Sequence, residues 1–516
     1  MSTTNTADEK APVDEQQGTA SSIVIEQDLD ESLSDVAAKF LAELPPHIVD
    51  APITPEESRK LLWKIDLILL PLLGISVLIA AVDKVIISNA AIYGLTTDTK
   101  LVGNEFSWVG SIFYFGFLVA EWPGNICMQK LPIRSFYAAT VLGWAILTFA
   151  TGCTQNFAGL AAVRFLMGMF ESVAFPICVL VSSMWWTISE QPLRTAIWFN
   201  NFSSIVTGLL SYGIGRAHTS VAPWRLLFFV IGAISTVWCV IIYICLPSSP
   251  VEAWWLNDRE KFICLERTRK SNTGLEDKNV KWYQVKECLL DPKSWLIAIF
   301  ACAINIPNGG FVTFAALIVS GMGFGPLETV LLGVPTGVIA TIWSIFLNTI
   351  VGRTKNLRCI IIAGALAFPI ASAICLWQLP AENNLSRLGA YYGAYSYWAP
   401  YVICTTLPMA NTSGHSKKTT LNAMFFIGYC MGNILGPQVF RQYDAPEYNR
   451  GFAGLLASCI VAFLCISAYG VICFFENRRR DRVQGGGPVL LTEAELRAEA
   501  FSDKTDKEKL NFRYTY

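Results

Sequence analysis

Arg164 and Glu171 lie inside the apolar run 157–181, where a membrane-crossing sequence ordinarily carries no charge. A charged residue at the centre of a membrane helix costs roughly 2.5 to 3.5 kcal/mol on insertion scales. In a helix their spacing places both side chains on one face, about 10 Å apart along the axis, which is too far for them to bond each other. Gly168 lies between them and is expected to leave that face open. Each charge therefore needs another partner.

Asp83 and Lys84, in the stretch 80-AAVDKVIISNA-90, are the candidate partners of these two charges. A cation that can bind an organic anion, beside a carboxylate that can take up a proton, is what anion/proton symport requires. Buried salt bridges that fix the helix bundle are the alternative interpretation. Apolar packing can often replace such bridges at no loss of stability, so we favour a functional site.

Other polar residues also interrupt apolar runs. Glu121 and Asn125, in 120-AEWPGN-125, share one helical turn, and we interpret them as a packing or gating feature. Asn433 receives the same interpretation.

The stretch 305-NIPNGG-310 contains a proline and two glycines within an apolar run. We expect them to interrupt the helix and expose backbone groups, as happens at transporter binding sites. Asn305 and Asn308 are therefore candidate substrate ligands. The aromatic residues of 391-YYGAYSYWAPY-401 are interpreted as packing residues.

The composition indicates a membrane protein. Of 516 residues, 53% are hydrophobic and only 15% are charged, and the mean hydropathy is +0.43, far above that of a soluble domain. The net charge of -1 provides no basic face for nucleic acid. The 15 cysteines lack metal-ligand or secretory spacing and are interpreted as small hydrophobic residues. No catalytic set, metal site or cofactor is expected.

Twelve apolar segments are long enough, at about 20 residues each, to cross a bilayer. They form two groups of six around a polar stretch, which is the arrangement of secondary transporters that bind substrate between two halves. We predict an all-α polytopic membrane protein with twelve transmembrane helices in two six-helix halves. Numbered in chain order, the predicted spans are 63–92, 106–128, 135–154, 157–181, 196–216, 225–246, 294–321, 328–350, 359–379, 388–410, 420–440 and 452–475.

Polar segments flank the two halves. Lys and Arg are roughly twice as frequent in the loops on the side of both termini, which predicts that both termini are cytoplasmic. The sequon at Asn384 then lies outside and is a glycosylation candidate. The predicted domains are a disordered acidic tail (1–60), the N-terminal half (61–246), a solvated central loop (247–293), the C-terminal half (294–476) and a C-terminal tail (477–516).

Over residues 60 to 480, the chain resembles the fungal allantoate-permease branch of the major facilitator superfamily, within the anion:cation symporter group. The resemblance implies uptake of a small organic anion (a carboxylate, ureido acid, vitamin acid or sulfonate), coupled to protons, across the plasma membrane. It rests on 82-VDKVIISNA-90, 121-EWPGN-125, 163-VRFLMGMFE-171, 224-WR-225, 411-NTSGHSKKTTLNA-423, 428-GYCMGNILGPQVF-440, 445-APEY-448 and 476-ENRRRD-481.

Spans 1 and 4 are also similar to those of the bacterial galactonate/proton symporter and of the sialin-like vesicular carriers. This similarity implies that Asp83 and Glu171 are proton-coupling carboxylates and that Arg164 binds the substrate anion. Lys84 stands where those relatives carry Arg and is a further candidate substrate ligand. A Lys offers a point charge in place of the bidentate fork of Arg.

Three classes of function are left open. Proton-coupled import of an organic anion is favoured. A proton antiporter that exports a metabolite or a toxic organic acid would have the same fold. A non-transporting nutrient receptor would require a long folded cytoplasmic module, which is not expected from the short polar tails. We expect a monomer whose partners are the anion, protons and the lipid bilayer.

Overall fold

The computed structural model describes residues 39–42, 44–49, 51–187, 189–198, 202–271, 280–354, 356–380, 382–485 and 503–516. All regular elements in these ranges are helices. Most of the acidic tail predicted for 1–60, namely 1–38, lies outside them.

Twelve helical segments of the described chain correspond to the twelve predicted spans, and eight of them are long and apolar enough to cross a membrane by these criteria alone. The fold prediction is confirmed. The segments are α1 (Pro55–Ile92), α2 (Glu105–Lys130), α3 (Ile133–Cys153), α4 (Phe157–Glu171, then Ala174–Trp185), α5 (Gln191–Trp198, then Ser203–Gly215), α6 (Pro223–Cys245), α7 (Pro292–Gly321), α8 (Pro326–Leu332, then Val334–Arg353), α9 (Arg358–Ala365, then Ala367–Gln378), α10 (Asn384–Ala394, the 3-10 turn Tyr395–Tyr397, Trp398–Cys404 and Thr406–Asn411), α11 (His415–Val439) and α12 (Asn449–Val483).

Helix α1 begins eight residues earlier than predicted, at Pro55. Thr54 and Glu57 form a capping box, in which the Thr54 hydroxyl accepts from the Glu57 N–H at 3.2 Å and the Glu57 carboxylate accepts from the Thr54 N–H at 3.1 Å. Proline is favoured in the first turn because its missing N–H would have no helical partner there. The residues 54-TPEE-57 therefore carry the sequence signature of a helix start, which places the start of α1 at Pro55.

Helix α4 is not continuous as predicted, because its two parts meet at Glu171–Val173. Pro176 lies in the first turn of the second part. A proline ring cannot follow a regular helical turn without clashing with the carbonyl four residues earlier, here that of Ser172. The break places Glu171 at the end of the first part.

The prediction for 305–310 is wrong, since α7 runs unbroken through Pro307. The two glycines are used for packing instead: a Cβ atom on Gly309 would lie 2.6 Å from the Asn433 carbonyl oxygen of α11, and one on Gly310 would lie 2.6 Å from the ring of Phe440. Helices α7 and α11 therefore pack backbone against backbone.

The two halves contact each other at the end of the bundle opposite to the start of α1, which we call the closed end. There the Ser88 hydroxyl of α1 accepts from the Ala316 N–H of α7 at 2.8 Å. The Ser107 hydroxyl of α2 donates to the Phe440 carbonyl at 3.0 Å.

The polar stretch between the halves is folded in its described parts, as helices Asp258–Ser271 and Trp282–Leu290, whereas the sequence predicted a solvated linker. The first helix packs on the N-terminal half, where Arg259 donates to the Ile48 carbonyl at 2.6 Å and Glu260 pairs with Lys64 at 2.7 Å. Its buried residues Phe262 and Ile263 join the core of that half, which explains the docking.

The C-terminal segment, which the sequence predicted as a tail, is packed against the protein in its described part. Helix α12 extends to Val483, and the segment 503–516 packs against the C-terminal half. The buried Asp506 lies 2.6 Å from the Lys417 ammonium and accepts from the Tyr514 hydroxyl at 2.6 Å. Two 2.7 Å bonds join the backbone of Thr515 to the side chain of Asn411.

Candidate functional site

Four ionisable side chains of α1 and α4 form the candidate site within the N-terminal half. Asp83, Arg164 and Glu171 are buried, at 1% to 2% exposure, whereas the Lys84 side chain is 21% exposed. The Lys84 ammonium lies 2.8 Å from Glu171 Oε1. One of the two predicted pairings between α1 and α4 is thus confirmed.

Asp83 does not form the other predicted pair. Its Oδ2 accepts a 2.6 Å hydrogen bond from the Thr148 hydroxyl of α3, and its buried Oδ1 has no hydrogen-bond partner. Sequence reasoning missed Thr148, since a lone threonine in an apolar span carries no signal that distinguishes it from a packing residue.

Arg164 has no carboxylate within 4.0 Å in the described part of the chain, and its buried Nε has no hydrogen-bond partner. Its guanidinium lies over the Phe113 ring, 5.8 Å from the ring centre. A buried cation is costly unless it is paired and hydrogen-bonded. The geometry therefore leaves Arg164 available to bind an anion.

Gly168 does not leave an open face as predicted, because α2 packs directly against it. A Cβ atom on Gly168 would lie 2.0 Å from the Phe113 carbonyl oxygen, and one on Gly116 would lie 2.0 Å from the Phe165 carbonyl oxygen. This close approach of the α2 and α4 backbones brings the Phe113 ring against both cations, since Lys84 Nζ lies 5.7 Å from its centre.

Tyr114 is a further member of the site that sequence reasoning missed. Its hydroxyl is buried, and its polar neighbour in the described chain is the Tyr429 side chain, with which it makes no well-aligned hydrogen bond. Its ring lies 6.2 Å from that of Tyr429 on α11, so it faces the other half of the protein. Unpaired buried polar groups are uncommon in native structures and call for an explanation such as a ligand.

Two asparagines of the C-terminal half bond to each other. Asn308 donates to Asn433 Oδ1 at 2.8 Å and accepts from the Tyr397 hydroxyl at 2.8 Å, and Asn433 donates to the Tyr429 carbonyl at 2.8 Å. Protein groups thus occupy both ends of the Asn308 amide. This arrangement favours packing of α7, α10 and α11 over the predicted role of Asn308 as a substrate ligand.

Asn305 and Asn125 bond within their own helices. Asn305 donates to the Ala301 carbonyl at 2.7 Å, and its buried Oδ1 has no hydrogen-bond partner. Asn125 donates to Glu121 at 3.4 Å within one turn of α2, as expected from their spacing. Asn384 is the first residue of α10, at the closed end.

Comparison with known proteins finds transporters throughout. The model of the Major Facilitator Superfamily matches residues 73–437. The chain is 36% identical to the MFS-type transporter cnsL of Penicillium expansum, over 93% of both chains. It is 32% identical to the allantoate permease of Saccharomyces cerevisiae, over 90% of this chain and 87% of that one. It is 33% identical to the thiamine pathway transporter THI73 of the same yeast, over 89% and 87% of the two chains.

Solved structures share the fold. A bacterial homologue of the human lysosomal transporter Spinster, in an inward-facing and unoccupied conformation, matches with a TM-score of 0.60 over 81% of this chain and 97% of that one, at 14% identity. A D-xylose-proton symporter matches with a TM-score of 0.57 over 77% and 96% of the two chains, at 12% identity.

Proposed function

Because the chain belongs to the major facilitator superfamily, a family of membrane transporters and not of enzymes, we propose that it imports a small organic anion together with protons. The anion is a carboxylate, a ureido acid, a vitamin acid or a sulfonate. The observation that carries this proposal is the buried guanidinium of Arg164, which has no carboxylate within 4.0 Å in the described chain. Arginine binds planar anionic groups through two parallel hydrogen bonds.

The charge of the site supports coupling to protons. Lys84 and Arg164 balance Asp83 and Glu171, so the four groups are formally neutral when all are ionised. A bound monoanion would leave one unbalanced negative charge in a buried place, and such a charge is costly. Uptake of one proton by a carboxylate restores neutrality, so the anion and the proton favour each other's binding.

The ion pair between Lys84 and Glu171 provides the means of this coupling. A proton on Glu171 weakens its attraction for the Lys84 ammonium and frees that cation to bind the anion beside Arg164. Conversely, an anion that binds Lys84 competes with Glu171 and makes its protonation easier. The two events are linked in both directions, as thermodynamic coupling requires. Asp83, held by Thr148, is the second proton-coupling candidate.

The orientation follows from the loop charges. The excess of Lys and Arg on the side of the termini supports cytoplasmic termini, and the plasma membrane is the location that the resemblance to the allantoate-permease branch implies. The closed end would then be the outer face, with Asn384 outside the cell.

The test is a panel of labelled organic acids offered to proteoliposomes with and without an imposed pH gradient. We expect at least one acid to accumulate above its external concentration only when the outside is acidic, with protein-free liposomes as the control for passive entry of the neutral acid. Accumulation that is driven only by an acidic interior would support the alternative, a proton antiporter that exports acids. Transport of uncharged analogues in preference to acids would contradict anion specificity.

A further inference from the structure

A group of aromatic side chains joins α2, beside the charged site, to α10 and α11 of the C-terminal half. We call Phe117 of α2, Tyr401 of α10, and Phe425, Phe426 and Tyr429 of α11 the aromatic surface. It begins at the charged site itself, since Lys84 Nζ lies 5.1 Å from the centre of the Phe117 ring.

The rings of the aromatic surface follow one another across the two halves. The Phe117 ring stacks on Phe426 at 5.8 Å and lies 6.5 Å from Tyr429. Tyr401 in turn stacks on Tyr429 at 6.2 Å and on Phe425 at 6.0 Å. These contacts join three helices, so the surface is part of the interface that must open and close during transport.

Within the α11 part of this surface, Phe426 and Tyr429 contact Phe117 of the N-terminal half, and Phe425 packs on Tyr401 of α10. Phe425, Phe426 and Tyr429 recur at helical spacing and are half-buried, whereas Ile427 and Met431 on another face of α11 are exposed. Half-buried rings at the junction of the two halves remain available to contact a bound molecule.

The polar side chains behind these rings already bond to other protein groups and are not available to a ligand. Asn308 and Asn433 bond to each other, and Tyr397 donates to Asn308. A sugar acid with several hydroxyl groups would set them against ring faces, where unpaired polar groups lose their bonds to water at a cost. A ring-bearing acid loses no such bonds.

We propose that the transported anion carries a planar unsaturated ring. Its anionic group binds Arg164 and Lys84, with the Tyr114 hydroxyl as an additional donor, and its ring packs on the aromatic surface. Aromatic rings prefer offset or edge contacts with other rings, and such pairs are favourable beyond the area that they bury. This inference rests on the proposed function and narrows its substrate class.

The test compares two sulfonates of equal charge and similar size, benzenesulfonate and cyclohexanesulfonate, which remain ionised and so do not enter as neutral acids. Their binding to the purified full-length protein is measured by calorimetry. We expect benzenesulfonate to bind about tenfold more tightly. Uncharged benzenesulfonamide serves as the control for the anionic group and is expected not to bind.

Variants identify the surface responsible. Tyr429→Leu should weaken the binding of benzenesulfonate more than that of cyclohexanesulfonate, so that the preference falls severalfold, while Tyr429→Phe should retain the preference. Phe475→Leu, at an exposed position of α12, is the matched control and should behave as the wild type.

The outcomes separate the two proposals. Equal binding of the two sulfonates, or a preference that survives in Tyr429→Leu, would overturn the ring inference and leave anion binding intact. Binding of benzenesulfonamide as tight as that of benzenesulfonate, or no binding of either sulfonate, would contradict the proposed anion site itself and the ring inference with it.

Discussion

The ammonium of Lys84 lies 2.8 Å from Glu171 Oε1, so the half-buried cation of α1 pairs with the buried carboxylate of α4. This pairing leaves Arg164 as the cation without a carboxylate partner in the described chain. The arrangement assigns different tasks to two cations that the sequence alone could not distinguish.

Arg164→Lys should raise the dissociation constant of the substrate anion by roughly 10- to 100-fold, because the bidentate fork of the guanidinium is lost while the charge is kept. Binding to purified protein measures the change. Arg450→Lys, at an exposed site on α12, is the matched control. Unchanged affinity in Arg164→Lys would show that the substrate does not bind there.

Lys84→Ala should destabilise the protein by up to about 3 kcal/mol, because it leaves the Glu171 carboxylate buried and unpaired. Adding Glu171→Gln should restore much of that loss, whereas adding Asp83→Asn should not, since Asp83 bonds to Thr148 instead. Thermal unfolding in detergent measures both double variants. Restoration by Asp83→Asn alone would mean that Lys84 pairs with the other carboxylate.

Lys84→Arg distinguishes a substrate ligand from a counter-ion. If Lys84 attracts the anion as a point charge once Glu171 is protonated, Lys84→Arg should be tolerated in transport or should narrow the choice of substrate. The double variant Lys84→Ala/Glu171→Gln should still bind the substrate anion weakly, even though its stability is restored. Binding to the purified protein measures this. Full binding by that double variant would limit Lys84 to a counter-ion role.

The sequence identified the four charged residues because their presence in apolar spans is costly, but it could not settle their pairing. Asp83 and Lys84 are consecutive, so they point about 100° apart around α1, and the rotation of α1 against α4 decides which of them meets Glu171. The backbone contact at Gly116 and Gly168 sets the distance between α2 and α4, and that contact depends on tertiary packing that no single span records.

The aromatic surface is a second feature that the sequence alone does not predict. The aromatic residues of 391–401 are evident in the sequence, and packing was a reasonable interpretation for each of them. Tyr401 contacts Tyr429 of α11, and Tyr429 in turn contacts Phe117 of α2, so these contacts join helices that are far apart in the chain. Helix spans follow from local hydropathy, whereas a surface built from three helices does not.

Gly168→Ala should destabilise the protein by about 1 to 3 kcal/mol, because the added methyl group meets the Phe113 carbonyl oxygen and forces α2 and α4 apart. Thermal unfolding in detergent measures this effect. Gly364→Ala, in a helical part of α9 where an added Cβ atom has no neighbour within 4 Å, is the control and should be neutral or slightly stabilising. Equal effects at the two positions would contradict the close contact.

Docking of the segment 503–516 should not change between pH 5 and 8. Burial alone would raise the pKa of Asp506, but the ammonium groups of Lys417 and Lys293 outweigh it, so the pKa lies below the usual 3.8. A lowered pKa contributes stability that is present above 3.8 and is lost only as the pH falls through the still lower value. The protection of 503–516 against hydrogen exchange, corrected for the pH dependence of the intrinsic exchange rate, measures docking.

Asp506→Asn should increase the exchange of this segment severalfold at neutral pH, because it removes the ionic contacts with Lys417 and Lys293. Leu510→Ala, at an exposed position of the same segment, is the control. If the protection of this segment in the wild type falls between pH 8 and 5, a group other than Asp506 controls docking.

Glu171→Gln mimics the protonated carboxylate and should separate binding from energy coupling. It removes the negative charge that holds Lys84, so the anion should bind as well as in the wild type or better, and labelled substrate should exchange across the membrane. No proton can be taken up at this position, so a pH gradient should no longer drive accumulation. Asp83→Asn should show a milder loss, since Asp83 is held by a hydroxyl and not by a cation.

Glu252→Gln, at an exposed position, is the control. The measurement is counterflow exchange beside gradient-driven uptake in the same proteoliposomes. Normal accumulation by Glu171→Gln would show that the Glu171 charge only holds α1 against α4, and that the protons enter elsewhere.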